Sequence, residues 1–208
     1  MAFHDTINTG TTPNDGQGDG LRTNIRKLYD NTKDNKQRLD DLNGNTPGVI
    51  SSNGLIVLNP LDANFSHSGT TGNIGAIKIA LPNSWGRTMM RFSVNIFDLL
   101  NNESLTLLIS GYTYIDTSSW NTTSVQIITS LSSNNFTVRF GHDGTKCCIY
   151  IGELNSSWSY PKVTVTNFLA GHSNYAPSQW LTGWNIGFET SSFQNITATH
   201  TNNLPLAQ

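Results

Sequence analysis

Beyond residue 50 few side chains could do acid, base or metal chemistry. The carboxylates are Asp62, Asp98, Glu103, Asp116, Asp143, Glu153 and Glu189, and the histidines are His67, His142, His172 and His200. A glycosidase needs two carboxylates facing one cleft, and a pair such as Asp143 with Glu153 is suggested only by proximity in a hairpin. His142 beside Asp143 reads more simply as a turn pair. No G-x-S-x-G, H-E-x-x-H, C-x-x-C or P-loop occurs, so nucleophilic, zinc and nucleotide chemistry lack their usual signals. Asn and Asp alternate with Gly over residues 13–20 in the manner of a calcium loop, but the later Glu of an EF-hand and a repeated nonapeptide are missing. The expectation is a protein with no catalytic residues, no metal and no cofactor, and therefore no enzyme.

The chemistry better matched to these residues is binding. The run after Gly152 concentrates aromatics and amides, from which Trp158, Tyr160, His172, Asn174, Tyr175, Gln179 and Trp180 are the receptor-binding candidates, with Asn155 and Trp184 in the same stretch. Sugar rings present apolar CH faces and hydroxyls that want neutral partners, so aromatic faces beside amides suit them. Trp158, Tyr160 and Trp184 also flank strands, where they would serve equally as core or subunit-interface residues. The segment from His172 to Thr182 is the least core-like, which makes it the preferred surface loop.

These residues need a scaffold, and the pattern of the chain divides it into an arm, a helix and a β domain. Residues 1–20 carry no periodicity and contain the dense turn signal Pro13-Asn14-Asp15-Gly16-Gln17-Gly18-Asp19-Gly20. They read as an irregular docking arm whose Asp19 caps the next helix. Over residues 21–43 Leu21, Ile25, Leu28, Thr32, Asn35, Leu39 and Leu42 recur at alternating spacings of four and three, the seam of a left-handed coiled coil. A helix of this length is marginal alone, so the seam predicts self-association, with Thr32 and Asn35 as polar layers that set register. Residues 44–54, with Gly44, Pro47 and Gly48, read as a hinge.

Residues 55–208 read as a β-sandwich or jelly-roll-like head. Nine strands are expected, near 55–58, 76–81, 89–97, 105–114, 125–131, 136–140, 147–151, 162–168 and 184–188, with a hairpin turn at Asp143-Gly144. Residues 66–75 and 167–182 are expected as loops, and the tail from Ser191 as a loose or neighbour-packed segment. Adjacent Cys147 and Cys148 point to opposite faces of a strand, so no mutual disulfide is expected; one should be core and the other partly exposed. Fold class is thus mainly β with one N-terminal helix.

Composition narrows the partners. Net charge is −2, charged residues are 12% of the chain, and half of the twelve Lys and Arg precede Asn43, which leaves no basic stripe for nucleic acid. No apolar run is long enough to insert in a membrane, and MAFHDTINTG lacks the regions of a signal peptide, so the expected place of assembly is a cytosol.

The segment TGTTPNDGQGDGLRTNIRKLYDN resembles the N-terminal motif of baseplate, whisker and fibre proteins of tailed bacteriophages, with Asn14, Asp15, Gly16, Gly18, Asp19, Leu21 and Arg22 on the motif. Where that family continues with Lys-x-Asn-x-Asn-Phe, this chain has Lys27, Asp30 and Asn31 and no Phe. The stretch VRFGHDGTKCCIYIGELNSSWSYPKVTVTNFLAGHSNY is similar to a β domain recurring near the C-termini of phage tail-fibre and appendage proteins. The resemblance implies a homotrimeric virion subunit assembled in the host cytoplasm. Its N-terminus would dock on other virion structural proteins, and its C-terminal domain would face a host-surface glycan or receptor. It supplies no binding residues. A structural appendage such as a head fibre, collar or decoration protein, and a polysaccharide depolymerase, are the alternatives.

Overall fold

The structure, a computed structural model, describes residues 16, 20–42, 50–52, 55–69, 73–99, 103–129 and 136–202. The chain forms two compact units, Met1–Thr46 and Pro47–Gln208.

In the first unit a single helix, α1, spans Leu21–Leu42. The Gly20 carbonyl accepts its first backbone bonds, from Thr23 at 2.9 Å and Asn24 at 3.0 Å, so Gly20 holds the N-cap position. The expected cap, Asp19, lies outside the described residues, as do Asn14, Asp15 and Gly18; Gly16 is exposed with φ +69°. Ile25 and Leu28, two adjacent positions of the expected seam, are 57% and 54% exposed. Thr32 turns its hydroxyl back onto the Leu28 carbonyl at 2.8 Å, and the Lys33 ammonium sits 5.8 Å from the Tyr29 ring centroid one turn away. Asn35 is exposed, and Leu21, Arg22, Leu39 and Leu42 lie on the helix with side chains outside the described residues.

The second unit is mainly β, a sandwich-like pair of antiparallel sheets. Its strands are β1 (Ile50–Ser52), β2 (Leu55–Leu58), β3 (Asn64–Ser66), β4 (Ala76–Ala80), β5 (Arg87–Asp98), β6 (Glu103–Tyr114), β7 (Ser119–Thr129), β8 (Phe136–His142), β9 (Cys147–Ile151), β10 (Lys162–Gly171), β11 (Asn185–Glu189) and β12 (Ala198–Asn202). The seven-stranded sheet runs β1-β2-β10-β5-β6-β7, with β3 also paired to β10; the five-stranded sheet runs β11-β4-β9-β8-β12. Period-2 patterning explains the long strands: along β5 burial alternates residue by residue, so Phe92, Val94 and Ile96 face inward while Arg91, Ser93 and Asn95 face out. The inward set meets Ile77, Ile79, Val138, Phe140, Ile149 and Ile151 of the other sheet in one core.

Several expectations change. Ile50–Ser52 fall in the expected hinge but pair with β2. The loop expected over residues 167–182 is half structure: β10 continues to Gly171 past a bulge at Asn167, whose φ is +53°, and residues 177–180 form a 3-10 turn. Both cysteines are buried and free. Cys147 joins the main core, whereas Cys148 lies on the opposite face with Ala76, Ala80 and Tyr150, under Phe193 and Ile196. That second cover comes from the described part of the tail, residues 191–202, which packs on its own unit as a strap. The His142 amide donates to the Gln194 carbonyl at 3.3 Å, Asn195 Nδ2 donates to the His142 carbonyl at 3.0 Å, and the Thr197 amide donates to the Phe140 carbonyl at 2.9 Å. Glycine at 141 permits this approach, since a Cβ there would lie 2.5 Å from the Gln194 oxygen.

Candidate binding surface

The aromatic candidates separate by burial. Trp158 is 2% exposed, stacks on Phe136 with ring centroids 5.5 Å apart, and donates its indole N–H to the Gly75 carbonyl at 2.9 Å. Trp180 is 1% exposed and stacks on Phe168 at 5.0 Å, and its carbonyl accepts the Trp184 indole N–H at 2.8 Å. Neither tryptophan offers a ring face to a ligand. Tyr175 is half-buried and donates its hydroxyl to the Trp85 carbonyl at 3.1 Å, which pins the turn before β5; the Cβ of any residue but glycine at 86 would lie 2.6 Å from its ring. Tyr160 is half-buried with φ +52°. His172, Asn174 and Gln179 are exposed, and Gln179 returns its side-chain oxygen to the Ala176 amide at 2.9 Å. The structure therefore uses most of the aromatic run as core and leaves three of the candidates on the surface.

A catalytic reading of His142 fails on proton bookkeeping. Its Nε2 is 2.8 Å from Ser84 Oγ, the separation a nucleophile and base would show, and Trp85 stacks on the ring at 4.9 Å. Its Nδ1, however, accepts the Gly144 amide N–H at 3.0 Å. The proton is therefore on Nε2, which donates to Ser84 and has no lone pair to take the hydroxyl proton. Burial lowers the His142 pKa, with the Asp143 carboxylate opposing, so the neutral ring is the resident form.

Asp143 is a structural carboxylate. Burial pushes its pKa up, but amide donations from Lys146 and Thr145 and the Lys78 ammonium outweigh that and hold it well below the usual carboxylate range. The amides lie 2.8 and 3.0 Å from Oδ1, and Lys78 Nζ is 3.1 Å from Oδ2. A depressed carboxyl contributes stability above its unfolded pKa of roughly 4, and that contribution is lost as pH falls toward the folded value. Asp143→Asn is expected to cost about 1–3 kcal/mol at pH 7, a cost that shrinks progressively as pH falls below roughly 4 toward the folded value. Urea unfolding followed from pH 7 down to about pH 2 checks this; a cost that does not fall across that range would refute the ionic role.

The open surface of the molecule is the outer face of the seven-stranded sheet. Strand pairing sets its side chains in rungs. Ser66, Lys162, Phe97 and Ser104 form one rung across β3, β10, β5 and β6, and Asn64, Thr164, Asn95 and Thr106 form the next. Together they line a cleft of about 370 Å³. Asn95 is held between two hydroxyls: its amide donates to Thr166 Oγ1 at 3.0 Å and its oxygen accepts from Thr106 Oγ1 at 3.0 Å. Lys162 Nζ donates to Ser66 Oγ at 2.7 Å and to the His67 carbonyl at 3.2 Å. Phe97, 42% exposed, stands directly across the rung from Lys162. Among the described residues no carboxylate lines this cleft, so the described lining offers no acid and base of a glycosidase, while amides, hydroxyls and an aromatic edge equip it to hold a polar ring.

Toward the other end of the same face Tyr112 and Tyr114 stack at 5.7 Å, His172 lies 6.3 Å from Tyr112, and Arg87 covers Tyr114 while pairing with Asp116 at 2.8 Å. Beside them a groove of about 210 Å³ is lined by Leu55, Met89, Leu169, Gly171 and His172, among others. The cleft and this groove escape sequence reading because their residues are single outward positions on strands far apart in the chain. Alternating Thr, Asn and Ser on β5, β6 and β10 was the available signal. Among the described residues no cluster of His, Cys, Asp or Glu could hold a metal ion. No protein-family model, curated protein or solved structure matches the chain.

Proposed function

We propose that this chain is a subunit of a trimeric bacteriophage fibre or spike, docked on the virion by its N-terminal arm, trimerised through α1 and attached to a host-surface glycan by its β unit. The observation that carries the reading is the uncovered seam: Ile25 and Leu28, at consecutive a and d positions, are both more than half exposed in a single chain. A seam of that kind is stabilised by copies of itself. The resemblance of the arm to phage fibre and baseplate motifs gives the assembly its context. The outer sheet face, with its amide and hydroxyl rungs, gives the β unit a surface suited to sugars. Three weak sites on one trimer would gain avidity on a repetitive glycan surface.

Fluorescently labelled full-length protein is expected to stain cells of the bacterium its phage infects, and purified surface polysaccharide is expected to compete. Staining of virions but of no susceptible cell would sink the attachment role in favour of a head fibre, collar or decoration protein. Release of oligosaccharides on incubation with capsule or lipopolysaccharide would instead make the protein a depolymerase.

A further inference from the structure

The charges on the outer face of the seven-stranded sheet are one-sided. Among the described outward-facing strand residues the charged side chains are Arg87, Arg91 and Lys162, all cations, in a protein whose net charge is −2. Arg87 is neutralised by Asp116. Lys162 and Arg91 have no carboxylate partner among the described residues. Lys162 is also preorganised, because two neutral acceptors, Ser66 Oγ and the His67 carbonyl, fix its ammonium and leave its charge and one N–H unspent. Arg91 lies on the same face of β5 as Phe97, the cross-strand partner of Lys162, six residues back and so roughly 20 Å along the strand. Between the two cations the outward positions are Ser93 and Asn95 on β5 and Thr164 and Thr166 on β10, neutral hydrogen-bonding groups throughout.

We propose that this face takes an acidic polysaccharide, laid along β5 so that carboxylates on separate sugars meet Lys162 and Arg91 and the intervening hydroxyls bond to Asn95 and its neighbours. A neutral glycan would leave both cations unused, whereas a polymer carrying one carboxylate every sugar or two presents charges at a spacing that two cations roughly 20 Å apart can read. Phe97 supplies the apolar edge against a sugar's CH face, which sets this surface apart from a generic anion patch. The proposal rests on the attachment reading above and names its ligand class.

The test uses the full-length protein on surfaces bearing polygalacturonate, hyaluronate or polysialate, with dextran as the neutral control and single-stranded DNA as a polyanion without sugar carboxylates. At least one acidic polysaccharide is expected to bind at least about tenfold more tightly than dextran or DNA, with affinity falling as salt is raised. Lys162→Met and Arg91→Met are each expected to weaken that binding about tenfold, Lys162→Arg to restore most of it, and all three to melt like the parent. Equal binding to dextran, equal binding to DNA, or parent-like affinity in both Met variants overturns the proposal. If the parent protein and both Met variants stain host cells equally, the acidic-glycan assignment fails while attachment stands. If the parent stains no susceptible cell, the attachment reading itself fails.

Discussion

Ile25→Asp combined with Leu28→Asp is expected to turn the trimer proposed above into monomers at micromolar concentration. Both side chains are exposed in the single chain, so neither change should cost the isolated helix much. In a three-stranded seam the same changes place three carboxylates in each of two adjacent layers. Every copy loses burial of two aliphatic side chains, worth about 1.5–3 kcal/mol each, and the like charges must be desolvated side by side. The summed penalty exceeds what a seam of three heptads can supply, given that Thr32 and Asn35 already weaken it. Sedimentation equilibrium should report the monomer mass, with the β-sheet circular dichroism unchanged. A parent protein that is itself monomeric, or a variant that stays assembled, would defeat the seam. The reverse change, Thr32→Ile with Asn35→Leu, is expected to tighten association and broaden the distribution of oligomer sizes, because polar layers restrict register and strand number.

Trp158→Ala is expected to be the most damaging single substitution in the β unit, at about 3–5 kcal/mol. The side chain is 2% exposed, its ring lies nearly parallel to Phe136 at an interplanar angle of 11°, and its indole N–H serves the Gly75 carbonyl. Truncation opens a cavity and also orphans that carbonyl, which is a separate cost of about 1–3 kcal/mol if no water replaces the donor. Trp158→Phe keeps most of the packing and should cost about 1–2 kcal/mol, mainly the hydrogen bond. The midpoint of guanidinium unfolding measures both. Normal stability with lost cell attachment in Trp158→Ala would reverse the assignment and return this tryptophan to a ligand-facing role.

The contrast between Trp158 and Phe97 shows where reading residues in order stops. Trp158 sits among Asn, Ser and Tyr in a stretch that looks like a sugar platform, yet it is core. Phe97 lies near the end of an alternating strand that looks entirely structural, yet it is 42% exposed beside a lysine. The side a residue faces follows from alternation, but which side of a strand is covered depends on what packs over it. The same holds for Cys148: its outward direction on β9 follows from the sequence, and its burial follows from the strap that lays Phe193 and Ile196 across it.

Local patterns in the sequence determined the helix and the long strands. The 4-3 spacing marks α1, the period-2 alternation marks β5 and β6, and Asp143-Gly144 marks the β8–β9 turn, because each depends on residues within a turn or two of one another. Tertiary structure alone decided the cleft and the electrostatics of the face around it. Asn64, Asn95, Thr106 and Thr164 become neighbours only when β3, β10, β5 and β6 pair, and the register of those ladders depends on the shared core beneath them rather than on any residue in the cleft.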